Sequence, residues 1–113
     1  MIKFTPYTIG PKPWGEEKVI AQTDTCLAKI LTMRAGHKGG LQYHERKDEA
    51  FYLFSGEARV RGIDQVWHPM LAGESYHIPP GVVHQVEAVT DCVFFEVGNV
   101  VFDDRVNVGD PAA

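Results

Sequence analysis

Four side chains able to bind a metal ion through nitrogen or oxygen recur at close spacing in the middle of the chain. One residue separates Gln42 from His44, four residues separate His44 from Glu49, and His84 follows the turn Pro79-Pro80-Gly81. Side chains two apart on a strand share a face, so Gln42 and His44 can point into one space. The intervening turn lets Glu49 return on the next strand, while the prolines and glycine before His84 make a rigid entry to a later one. A lone histidine on a strand is ordinarily a hydrogen-bonded structural residue. Two imidazoles, a carboxylate and an amide at this joint spacing instead point to a ligand set of Gln42, His44, Glu49 and His84. Mixed nitrogen and oxygen donors suit one divalent transition metal ion (Mn, Fe, Co, Ni or Zn) better than Ca or Mg, and the lack of thiolates argues against structural zinc. Such a centre polarises a carbonyl or stabilises a developing oxyanion on a small-molecule substrate.

Proton transfer at that substrate also needs a base. Glu49, Glu96 and Tyr52 are the candidate catalytic residues. Glu96 falls in a run whose alternation leaves its facing undecided, and if turned inward it is the leading base. Tyr52 follows Glu49 on the same strand, where it either donates to a substrate oxygen or packs at the wall. Lys12, Lys38 and Lys47 fall in segments expected to frame the mouth of the site and are candidates for holding a phosphate, as is Arg46. A lysine supplies charge there without a bidentate fork. His37 and His68 occupy turn-like neighbourhoods and are expected to be exposed. His77 is a candidate donor behind the metal ligands, and Trp14 and Trp67 read as packing residues.

The elements that must position these groups are short strands punctuated by Gly, Pro and Asp. Strand-like runs cover residues 19–21, 25–33, 41–44, 50–54, 57–61, 65–67, 75–78, 83–87, 92–97 and 100–102. No stretch sustains a helical repeat over three turns. Short strands at this spacing make an all-β sandwich or barrel. Residues 1–15 are expected to lie outside it as an extended arm, because the prolines in Pro11-Lys12-Pro13 lack ladder donors. Residues 109–113 are expected to fray.

At 113 residues, 44% hydrophobic and 23% charged, the chain fits one globular domain over residues 1–113. The net charge of −4 and scattered Lys and Arg argue against a nucleic-acid partner. No apolar run approaches the ~18–20 residues a membrane helix needs, and no signal-peptide core opens the chain, so a cytoplasmic location is expected. Cys26 and Cys92 are expected to be buried free thiols. Exposed edge strands, and an arm able to exchange, favour a homodimer.

The segments 36–56 and 73–88 resemble the paired motifs of the cupin superfamily. The usual first motif has His where this chain has Gln42, and the usual second motif ends in Asn where it has Ala88. The resemblance implies a small double-stranded β-helix, or jelly-roll barrel, around the metal. Leu41-Gln42-Tyr43-His44 with Lys47-Asp48-Glu49 is similar to the Leu-Gln-x-His-x-x-Arg-x-Glu run of bifunctional-type mannose-6-phosphate isomerases. Lys12-Pro13-Trp14-Gly15 is similar to the Arg-Pro-Trp-Gly that opens their isomerase domains. Phe95-Glu96-Val97, with Asp103, Asp104 and Asp110, is similar to their closing strand and acidic tail. This narrower resemblance implies a metal-dependent aldose–ketose isomerase acting on a sugar or sugar phosphate. The same barrel also serves metal-dependent dioxygenases and non-catalytic sugar-binding proteins.

Overall fold

Alternation of apolar and polar residues governs the architecture. In the computed structural model, which describes residues 1–109, the chain forms eleven strands and, among the described residues, no helix. They are β1 (Tyr7–Lys12), β2 (Gly15–Gln22), β3 (Leu27–Met33), β4 (Gln42–His44), β5 (Glu49–Ser55), β6 (Glu57–Arg61), β7 (His68–Leu71), β8 (Ser75–Ile78), β9 (Gln85–Ala88), β10 (Cys92–Gly98) and β11 (Arg105–Asn107). Six of them form an antiparallel sheet in the order β1-β2-β3-β10-β5-β8. A smaller sheet has the order β7-β6-β9, and β11 pairs with β4 as a two-stranded ribbon. The result is an all-β double-stranded β-helix.

In β5, Phe51 and Leu53 are buried while Tyr52 and Phe54 are exposed. In β10, Phe94 is buried between Val93 and Phe95 of the outer face. Phe51, Leu53, Phe94 and Met33 of the larger sheet meet Ala58, Val60, Met70 and Ala88 of the smaller one in a shared core. Fully burying a side chain such as Leu53 or Phe94 is worth about 1.5–3 kcal/mol. The turn from β5 to β6 requires Gly56, whose φ is +95° and where an added Cβ would lie 2.2 Å from the Asp91 carbonyl oxygen.

Several boundaries depart from expectation. The N-terminal arm is partly a strand: β1 pairs with β2 at the edge of the large sheet, with an irregularity between Ile9 and Lys12 where Pro11 sits. Residues 65–67 are irregular rather than a strand: a turn closed by Gln65 N donating to the Gly62 carbonyl at 3.0 Å precedes them, Gln65 adopts φ 59°, and Asp64 Oδ1 accepts the Val66 N–H at 3.1 Å. Residues 100–102 are a loop despite their apolar character. Asn99 holds it by accepting from Asp48 N at 3.0 Å and donating to Arg46 O at 2.9 Å. The last strand is instead β11. Cys92 is buried as expected, but Cys26 is exposed in the turn before β3. Asp110 and the rest of the expected frayed end beyond Gly109 lie outside the described residues. Among the described residues, no helix is long and apolar enough to cross a membrane.

Candidate metal centre

β4, β5 and the segment leading into β9 bring three ligand-type side chains together. Backbone hydrogen bonds tie Gln42 to His84 in both directions, at 3.0 and 2.8 Å. This bridge places His84 beside the strand carrying His44. His44 Nε2 lies 3.4 Å from Glu49 Oε1, and His84 Nε2 lies 3.7 Å from the same oxygen. One donor atom from each of the three lies within 4.8 Å of the others. The opposite ring nitrogens are occupied: His44 Nδ1 meets Asp104 Oδ1 at 3.1 Å, and His84 Nδ1 donates to the Val82 carbonyl at 2.9 Å. Both rings are thereby turned so that Nε2 faces inward, the orientation that a metal-binding histidine needs. Two imidazole nitrogens and one carboxylate oxygen meeting at one point fit a divalent transition metal ion. Gln42 shares the cavity-facing side of β4 with His44 and could add an amide oxygen.

The expected catalytic residues divide by strand parity. Glu96 turns inward with Phe94 and lines the cavity, whereas Tyr52 points outward from β5, 39% exposed and stacked on Phe95. Tyr52 alternates with Glu49 and Phe51, so it cannot share their face; of its two expected roles, packing at the wall is the one it has, and it does not reach the cavity as a donor. Lys47 is not a cation at the mouth. It is buried, and its ammonium donates to Glu49 Oε2 at 3.0 Å and to Glu96 Oε1. Lys38 pairs through its backbone with Glu87 and is not among the residues lining the cavity, while Lys12 does line it, 3.5 Å from Glu17 Oε2. His77 is exposed and pairs with Asp48 at 2.7 Å, so it does not stand behind the ligands. His37 and His68 are exposed. Trp14 packs against the core, and the Trp67 ring lies against the guanidinium groups of Arg59 and Arg61.

Electrostatics bind these groups into one network. Burial favours the neutral form of Glu49, but hydrogen bonds from His44 and Lys47 overcome it and hold the carboxyl well below the usual range. Burial and the neighbouring Glu49 push Glu96 up to about 7. The Glu49 hydrogen bond raises His44, whereas burial lowers His84. Lys47 is raised because Glu96 and Glu49 outweigh the cost of its burial. The cavity above this network has a volume of about 390 Å³, enough for a small organic molecule.

Two roles in the site escape the motif reading. Asp104, which reads only as part of an acidic tail, orients His44 from the far end of the chain, and nothing local signals that contact. Lys29 is 3% exposed on the cavity wall. Its signal was a single cation in phase with Leu27, Leu31 and Met33 on an otherwise apolar strand face.

The Cupin_2 family profile, described as "Cupin domain", matches residues 29–98, more than half of the chain. The chain belongs to the cupin family. This cupin is 33% identical over 76 residues to mannose-1-phosphate guanylyltransferase RfbM of Salmonella typhimurium, an alignment covering 67% of this chain and 16% of that protein. The cupin therefore spans only a small part of that relative's length. Among solved structures, KdgF from Halomonas sp. superposes with a TM-score of 0.75 at 21% identity, covering 87% of this chain and 91% of the other. A cupin-2 domain containing protein from Shewanella frigidimarina gives a TM-score of 0.63 at 27% identity, with coverages of 72% and 76%.

Proposed function

We propose that this cupin is a metal-dependent aldose–ketose isomerase acting on a sugar or sugar phosphate. The observation that carries the reading is the convergence of His44, Glu49 and His84 on one point, with Glu96 beside them in the same cavity. Similarity to a protein named for a mannose phosphate supports the substrate class. His44, His84 and Glu49, with the Gln42 amide, would hold the ion, and when bound it would supply Lewis-acid polarisation of a sugar carbonyl. Glu96 takes the proton from the hydroxyl-bearing carbon beside that carbonyl and returns it to the carbonyl carbon, while the hydroxyl proton passes to the former carbonyl oxygen. Lys47 holds Glu96 in place through its ammonium and keeps Glu49 ionised. The inner-face side chains Phe51, Phe94 and Leu31 limit water around the reacting carbons.

The test combines elemental analysis with isotope exchange. Purified protein is expected to carry near-stoichiometric divalent metal, lost in His44→Ala and His84→Ala. Incubation with hexose phosphates in deuterated water is expected to place deuterium on the substrate, and Glu96→Gln is expected to abolish this without releasing the metal. Folded wild-type protein that stays metal-free after incubation with Mn, Fe, Co, Ni and Zn would overturn the proposal.

A further inference from the structure

On the wall formed by β1, β2 and β3, two lysines share one carboxylate inside the cavity. Lys29 Nζ lies 3.3 Å from Glu17 Oε1, and Lys12 Nζ lies 3.5 Å from Glu17 Oε2. All three residues line the cavity. Lys29 is buried and Lys12 partly exposed, and the two ammonium groups face one carboxylate, so this end of the cavity is locally positive, whereas Lys47 at the metal end faces two carboxylates. An ammonium has three donors, and among the described residues Glu17 is the one hydrogen-bond acceptor at Lys29 Nζ. The Phe102 ring, 5.6 Å from Lys29 Nζ, adds a weak cation–π contact and leaves the other N–H donors unused.

The register fixes where this charge stands. Lys29 is directly opposite Glu96 across β3 and β10, and Gly98 of β10 is opposite Glu49 of β5. Neighbouring strands are about 4.8 Å apart, so β3 and β5 are separated by roughly 10 Å across the sheet. A small sugar with a terminal anionic group spans that distance.

We propose that Lys29 and Lys12 form an anion subsite, which holds the phosphate or carboxylate of a sugar whose carbonyl end lies at His44, Glu49 and His84. The placement of the carbonyl end rests on the isomerase reading; the anion subsite itself does not. The bound anion takes the lysine donors that Glu17 leaves unfilled. Glu17 opposes it by charge, and so sets how tightly an anion is held.

Isothermal titration of zinc-loaded and metal-free protein with mannose 6-phosphate, glucuronate and mannose tests this. An anionic sugar is expected to bind about tenfold more tightly than mannose, the worth of a charge-assisted hydrogen bond. Lys29→Met and Lys12→Met are expected to erase most of that preference, and Glu17→Gln to increase it, with mannose binding unchanged throughout. The ratio of phosphate to carboxylate affinity identifies which group the subsite takes. If Lys29→Met does not fold, the partly exposed Lys12→Met and the near-isosteric Glu17→Gln still decide. Equal binding of charged and neutral sugars overturns the subsite, as does an anion preference that neither Lys12→Met nor Glu17→Gln alters. Elemental analysis of the same samples separates the two ideas. An anion preference without metal leaves the subsite standing and removes the isomerase reading, whereas metal without the preference does the reverse.

Discussion

Replacing Asp104 by Asn separates the orientation of a metal ligand from the stability of the fold. Asp104 serves three donors: Oδ1 faces His44 Nδ1 at 3.1 Å, and Oδ2 accepts the backbone N–H groups of Arg46 at 2.6 Å and Lys47 at 3.1 Å. The amide is nearly isosteric, and its oxygen will stay on the two backbone donors. Its NH2 group then faces His44 Nδ1, which must accept rather than donate. The ring proton is forced onto Nε2, the atom directed at Glu49 and the metal position. A ligand partner of this kind is typically worth 10- to 100-fold in metal affinity, or about 1.4–2.7 kcal/mol. Each backbone contact also weakens when its acceptor loses charge, so stability should fall by about 1–2 kcal/mol. For a domain of this size that lowers Tm by roughly 4–8 °C. Competition with a chromophoric chelator for zinc measures the affinity, and calorimetry of the metal-free protein measures Tm. A variant with lowered Tm but unchanged zinc affinity would refute the reasoning, since Asp104 would then tie down a loop without orienting His44.

Gly98→Ala would place a Cβ 2.3 Å from the Asp48 carbonyl oxygen and 3.2 Å from Glu49 Cα. Chemical denaturation should show a loss of about 1–3 kcal/mol, with weaker metal binding because Glu49 is displaced. Cys92 is buried, with its thiol pushed up by burial, while Cys26 is exposed. Iodoacetamide at mildly alkaline pH should therefore modify Cys26 first and Cys92 only on unfolding; equal labelling by mass spectrometry would contradict the placement. The raised His44 means that protons compete for its ring at and above its ordinary value of 6.5, so zinc affinity should rise with pH through that window. In metal-free protein, His44 contributes stability that is full below 6.5 and lost as pH rises through its folded value. The lowered His84 contributes stability present above 6.5 and lost as pH falls. The two windows meet at 6.5, so the histidines' joint contribution to the metal-free Tm should peak near that pH and fall on either side, while the gap between metal-loaded and metal-free Tm widens with pH.

The ligand positions were legible because they obey local rules. The period of two puts Gln42 and His44 on one face, and the turn residues fix where Glu49 and His84 begin their strands. The same rule would have turned Tyr52 away from Glu49, as the structure does. What stayed hidden depends on contacts across long stretches of chain. Asp104 reaches His44 only because β11 pairs with β4. Lys47 reads as a surface cation until Glu96, 49 positions away, is brought against it. Residues 100–102 carry strand-forming side chains, yet Asn99 fastens the neighbouring backbone to Arg46 and Asp48 and overrides local propensity.

The division of the site between a broad sheet and a narrow ribbon has a mechanical consequence. Glu49, Glu96 and Lys29 stand on three adjacent strands of a six-stranded sheet, whereas His44 stands on β4, held by the three-residue β11 and the bridge to His84. A two-stranded ribbon alone is marginal in water, so its local opening requires far less than global unfolding. An ion bound to both Glu49 and His44 would fasten the compliant part to the stiff one, adding its binding energy to the ribbon's opening cost. Slow amide exchange at Tyr43 and Val106, which face each other across the ribbon, would then report occupancy of a site that neither residue lines.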